Sequence, residues 1–214
     1  FGSTSSGHRS IFTMITLRFN SDLPAFEKIG NVHLYRIGFA VPGAKVSDRS
    51  LPWQCKLAKV FFPFTAFFKA MSLHRGHRFD MTWAMMANQA GFAALFFKWA
   101  HPRVPYILEL QDGRAFAEMK NRRPVLRALW PLYKHLSFKA DRIKVISRFL
   151  AKEVRAIGYR KTVEVIPNGV DAARFAEKVP EEKLAALRAK FGKQRGDVFL
   201  FTASRLVLSR GVED

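Results

Sequence analysis

Apolar positions along the chain keep two different rhythms, and the two alternate. Short runs dense in Val, Ile and Phe read as strands: IFTMITL (11–17), VHLYRI (32–37), FDMTWA (79–84), PYILEL (105–110), RIKVIS (142–147), TVEVI (162–166) and VFLFTAS (198–204). Longer segments between them carry helical spacing. Trp53, Leu57, Val60, Phe61, Phe64, Phe67, Phe68 and Met71 recur on one stripe with lysines on the other side. That spacing predicts a helix whose apolar stripe packs on a sheet, and Pro63 is expected to kink it. Further helices are predicted over 88–100, 124–138, 149–157 and 181–191, with Gly158 as a left-handed cap.

Strands alternating with helices imply right-handed crossovers and a mostly parallel, doubly wound α/β sheet. The stretch VEVIPNGVDAARF (163–175) tests this. Pro167 cannot donate to a ladder and ends its strand, while Asn168-Gly169 is a strong hairpin signal. No partner strand follows, only a long connection and another helix. The reading is therefore a strand whose carboxyl end opens onto a ligand crevice. The polar break GKQRGD (192–197) marks the candidate domain boundary, dividing the chain into 1–192 and 193–214.

Composition narrows the partners. The 214 residues hold 36 Lys+Arg against 17 Asp+Glu, a net charge of +19. Fourteen basic residues but only Glu118, Asp141 and Glu153 fall between Arg114 and Lys161, so the middle of the chain carries a basic surface suited to phosphorylated ligands or anionic membranes. A single cysteine, Cys55, excludes an internal disulfide framework and fits a reducing, cytoplasmic setting. The six histidines show no metal-ligand spacing with it, and no metal is expected. No run of apolar residues is long enough to span a bilayer. The opening FGSTSSGHRS has neither a signal peptide's pattern nor an initiator methionine, which reads as a fragment.

Three segments, KADRIKVISRFLAKEVRAIGY, VEVIPNGVDAARF and FLFTASRLVLSRGVED, resemble in order and spacing the retaining, nucleotide-sugar-dependent glycosyltransferases of group 1 (family four, GT-B fold). GHRSIFTMITLRF looks like that family's second strand. The resemblance implies a Rossmann-like acceptor-side domain over 1–192, lacking its first strand and glycine-rich loop, and over 193–214 the start of a donor-side domain. The sheet would thus be truncated at both ends, and the fragment inactive by itself. It implies a nucleotide-sugar donor as substrate rather than cofactor, and a saccharide or lipid-linked acceptor at the inner face of a membrane. It also assigns residues. Arg205 and Arg210 would neutralise the leaving diphosphate. Gln111 and Asp112, ending a strand where relatives carry a histidine, would face the donor sugar, although Gln111 cannot shuttle protons. Ser147, Asn168, Gly169 and Asp171 would line the cleft. Bland readings stand beside these: a turn at Asp112-Gly113, and helix caps at Ser147 and Asp171.

Two other functions fit part of the pattern. A basic nucleic-acid-binding module accounts for the charge but not for PNGVD or the strand-end SRL, so nucleic acid is not the expected partner. A dinucleotide-dependent oxidoreductase would want G-x-G-x-x-G after a strand, which is missing here.

Overall fold

The computed structural model describes residues 10–44, 51–111, 128, 130–194, 196–199 and 201. The chain forms two compact units, residues 1–168 and 169–214. In the first, β1 (Phe12–Leu17), β2 (Phe26–Ile29) and β3 (Val32–Ile37) form one sheet in the order β1-β3-β2. β1 runs parallel to β3, and β2 antiparallel to it. A second sheet holds β4 (Thr82–Met85), β5 (Tyr106–Leu110), β6 (Arg142–Val145) and β7 (Thr162–Val165), side by side in chain order and all parallel. The crossovers between them carry α2 (Gln89–Ala100), α3 (Trp130–Lys139) and α4 (Arg148–Ala156), and α1 (Trp53–Gly76) precedes β4. This is the expected α/β architecture with helices flanking a parallel sheet.

The parallel sheet has two unlike faces. Ala84, Tyr106, Leu108, Leu110, Ile143 and Val145 are buried against Ala94 and Leu95 of α2, Tyr133 and Leu136 of α3, and Leu150 and Val154 of α4. The register puts Trp83, Met85, Ile107, Glu109, Arg142, Lys144, Thr162 and Glu164 on the opposite face. Continuous apolar strands are the norm for a sheet covered on both sides, and the charges on this face depart from it.

Caps close the helices, Gly158 as the sequence suggests and Asn88 in addition. Asn88 Oδ1 accepts from Ala90 N at 3.0 Å. Gly158, at φ +100°, ends α4. Its N–H donates to Arg155 O (2.9 Å) and that of Tyr159 to Val154 O (3.3 Å), the paired bonds of a Schellman ending. At the lower end of β5, Asp141 Oδ2 accepts from Lys98 Nζ (2.8 Å) and from the backbone N–H of Tyr106 (2.7 Å). Lys98 Nζ also donates to the carbonyls of Pro102 and Val104, pinning α2, β5 and the β6 approach together. Burial opposes the Asp141 charge, but Lys98 and the Tyr106 amide outweigh it and hold its carboxyl below the ordinary value.

Several expectations change. Phe26–Ile29 is a strand that the sequence reading passed over, and the strand expected over 79–84 is Thr82–Met85. The PNGVD turn has neither Asn168 nor Gly169 at positive φ, and nothing stands within 4 Å of a Cβ added to Gly169. Val198, Phe199 and Phe201 are not in a strand, and the rest of VFLFTAS lies outside the described residues, as does the predicted helix start near 124. The largest correction concerns α1. It continues through Pro63, and its buried residues are Cys55, Ala58, Phe62, Pro63 and Ala66. Small side chains there let α1 lie close to β1 and α2. The large apolar stripe turns outward instead: Trp53, Val60, Phe61, Phe64 and Phe68 are 69%, 67%, 50%, 50% and 66% exposed.

Gly91 of α2 lies against α3 with no room for a side chain. A Cβ there would lie 2.9 Å from Leu136 Cδ1 and 3.2 Å from Met86 O. Gly91→Ala is therefore expected to destabilise the first unit by about 1–3 kcal/mol through overpacking. Urea unfolding checks it; an unchanged midpoint contradicts the packing described.

Candidate functional site

Three parallel strands end in one row. Leu110 pairs in register with Val145, and Val145 with Val165. Gln111, Ser147 and Asn168 follow these strands within three residues, so all three stand at the carboxyl edge of one sheet, where α/β folds place ligands. Here the structure brings together residues that lie far apart in sequence. Gly169 and Asp171 belong to the second unit. Asp112, Arg205 and Arg210 lie outside the described residues.

Local roles are visible for two of them. Ser147 Oγ accepts from Leu150 N at 3.2 Å and caps α4. Asp171 Oδ1 accepts from Arg174 N at 3.2 Å, capping a single turn at Ala172–Ala176 that we label α5. The capping readings are thus realised in the structure. Of the remaining second unit, α6 (Glu181–Lys190) has no buried residue and begins with Glu181 and Glu182, the acidic first turn a helix dipole favours.

Beneath the strand ends lies a charged cluster that the sequence pass did not single out. Glu109 of β5 is 1% exposed. Its Oε1 accepts from Lys144 Nζ of β6 at 2.8 Å and from Gln111 Nε2 at 2.8 Å. Lys144 Nζ also sits 5.9 Å from the centroid of the Trp83 ring. Burial works against the carboxylate, but Lys144, Gln111 and the Trp83 indole together hold it below its ordinary value, so it is ionised at neutral pH. Next to this, Met86 follows β4 at φ +73°, a left-handed conformation rare for a side chain of its size, and donates its N–H to Glu109 O at 2.7 Å. Such strain persists where the surroundings enforce it. The only sequence signal was a Glu and a Lys at strand positions that a doubly covered sheet would fill with Val or Ile.

Among the described residues, no group of three or more His, Cys, Asp and Glu side chains could hold a metal ion. No helix among them is long and apolar enough to cross a membrane.

Lys144→Met leaves Glu109 buried without its counter-charge, and is expected to cost roughly 2–4 kcal/mol at pH 7, somewhat reduced by the partial exposure of Lys144. The sign with pH follows from the lowered carboxyl. The wild-type pair contributes fully above about pH 4.5 and loses its contribution as pH falls through the lower native value. The stability gap between wild type and Lys144→Met should therefore narrow on acidification. Chemical denaturation at pH 7 and pH 4 measures it, and a gap that widens in acid contradicts the assigned pair.

Residues 11–169 match the family model described as a glycosyl transferase 4-like domain. That span runs from the start of β1 through Gly169 and includes the whole strand-end row. No curated protein matches the chain.

Proposed function

Because the chain belongs to the glycosyl transferase 4-like domain family and is a glycosyltransferase domain, we propose that it moves a sugar from a nucleotide-sugar donor to a saccharide or lipid-linked acceptor with retention of configuration, as a step in glycan or cell-envelope polysaccharide synthesis. The observation that carries this is the gathering of Gln111, Ser147 and Asn168 at the carboxyl edge of one parallel sheet. On this reading, residues 1–192 form the acceptor side and 193–214 open the donor side. Gln111, with Asp112, hydrogen-bonds the donor sugar. It orients the sugar rather than shuttling protons, since an amide does not titrate. Gly169 and Asp171 continue the lining beyond Asn168. Arg205 and Arg210 hold the diphosphate. As the bond from the anomeric carbon to the diphosphate oxygen breaks, negative charge gathers on the leaving group, and two fixed guanidiniums stabilise it more than they stabilise the bound donor. The chemistry calls for neither cofactor nor metal from the protein, and it would run on the cytoplasmic side.

The acceptor-side partner is an anionic membrane surface. The outward stripe of α1 supports this, joined by Trp99 of α2, which is 48% exposed and packs at a tilt against Phe96. Phe96 in turn stacks on Phe64. Apart from Lys98, which is tied to Asp141, residues 51–108 carry six basic side chains and one acidic, Asp80. Aromatic and aliphatic side chains flanked by lysines are what a peripheral protein presents to anionic lipid.

Arg205→Ala and Arg210→Ala should each weaken binding of UDP or GDP by the complete gene product by about tenfold or more, in line with loss of a charge-assisted hydrogen bond. Isothermal titration measures this, and two unchanged affinities would remove the diphosphate role. Flotation on phosphatidylglycerol vesicles should exceed that on phosphatidylcholine and weaken as salt rises. It should also fall in Trp53→Ser/Phe68→Ser. Flotation indifferent to lipid charge, or undiminished in that variant, refutes the membrane reading.

A further inference from the structure

Taking Gln111 to contact the sugar as proposed above, we infer that Glu109 is a positioning residue that fixes which end of the Gln111 amide the sugar meets. A glutamine amide can present either its oxygen or its nitrogen, and the two orientations are nearly isosteric. An ionised carboxylate only accepts hydrogen bonds. With Glu109 Oε1 2.8 Å away, the Gln111 nitrogen must be the end that faces it. Flipping the amide would set two acceptor oxygens against each other in a buried place. The carbonyl end of Gln111 is therefore turned away from Glu109, as a fixed acceptor. Its natural partner is a hydroxyl that donates, which a sugar supplies.

Lys144 completes the device. Its Nζ donates to the same Glu109 oxygen from the neighbouring strand, also at 2.8 Å. That keeps the carboxylate charged and holds Oε1, the oxygen that faces Gln111. The backbone of Glu109 is held as well, pairing with Met85 on one side and Lys144 on the other. The chain of control thus runs from Lys144 through Glu109 to Gln111, from two adjacent strands to the first residue beyond the sheet. A buried ion pair between strands is poor evidence of a stabilising role, since apolar residues of similar size often serve stability as well. Orienting an amide at the sheet edge is a task that apolar residues do not perform.

The test uses the whole protein with a panel of UDP- and GDP-linked hexoses, reading released nucleoside diphosphate, alongside the side-chain amide signals of 15N-labelled protein. Gln111→Ala and Glu109→Gln should each lower kcat by about tenfold with KM for the nucleotide sugar changed less than about twofold, and the double variant should be no worse than either alone. The Gln111 amide signal, assigned by its loss in Gln111→Ala, should move in Glu109→Gln. Because Glu109→Gln leaves Lys144 without its counter-charge, Glu109→Gln/Lys144→Met provides a charge-balanced second version that should show the same loss. If Gln111→Ala is harmless, the sugar-contact reading fails and the positioning role with it. If Gln111→Ala is damaging while both Glu109 variants keep kcat within about twofold, or the double variant is additive, the positioning role alone is overturned.

Discussion

A buried carboxylate must be paired, and in this chain that requirement ties the sheet to its register. Glu109 satisfies it through Lys144 on the adjacent strand. Side chains alternate across a strand, so a slip of one residue in β5 or β6 would drive Glu109 or Lys144 into the face that holds Leu108, Ile143 and Val145. The ion pair therefore makes the alternative registers far worse than the native one. With the register set, Leu110, Val145 and Val165 finish level. The residues after them then emerge at one edge, and the candidate site exists because the strands end together.

The opposite end of the same strands is held by a second charged group. Asp141 binds Lys98 and the first amide of β5, so α2, β5 and the turn into β6 share one anchor. Lys98 is thereby committed to two carbonyls and a carboxylate, and is not part of the free basic surface. Two pins at the two ends of a short parallel pair leave the strands little freedom to slide or splay. Aiming three loops from three separate strands needs that rigidity, because each loop inherits any error in its strand.

The alternation of strand and helix was legible in the sequence because the periods of 2 and 3.6 differ plainly, and Gly158 marked a helix end through its own chemistry. Phe26–Ile29 was not legible: four residues with a Glu and a Lys among them give too weak an alternation, and antiparallel pairing with β3 is a tertiary contact. The α1 stripe misled for a different reason. Spacing locates faces of a helix but does not say which is inside, and size was the wrong guide. Cys55, Ala58 and Ala66, together with Phe62 and Pro63, hold the inward face, the small side chains among them permitting close approach to β1 and α2. At the site, strand-end position pointed to Gln111, Ser147 and Asn168. Glu109 and Lys144 were invisible as a pair, being 35 residues apart and related only through strand pairing.

An aromatic stripe facing water is itself unfavourable, since each square ångström left exposed forgoes about 25 cal/mol. Isolated exposed apolar side chains are ordinary, but a contiguous run along one helix calls for a covering surface. Charge decides which surface suits. Among residues 51–108 only Asp80 opposes six basic groups besides the committed Lys98, and the lysines of α1 flank its apolar stripe. An apolar protein partner would have to bury those lysines, which is costly without carboxylates to meet them. A bilayer surface lets the rings sink while the ammonium groups remain among headgroups. The same inward choice of small residues that seats α1 against β1 and α2 is thus what leaves the large residues free, and on the proposed reading it is the packing of the core that fashions the face turned toward lipid.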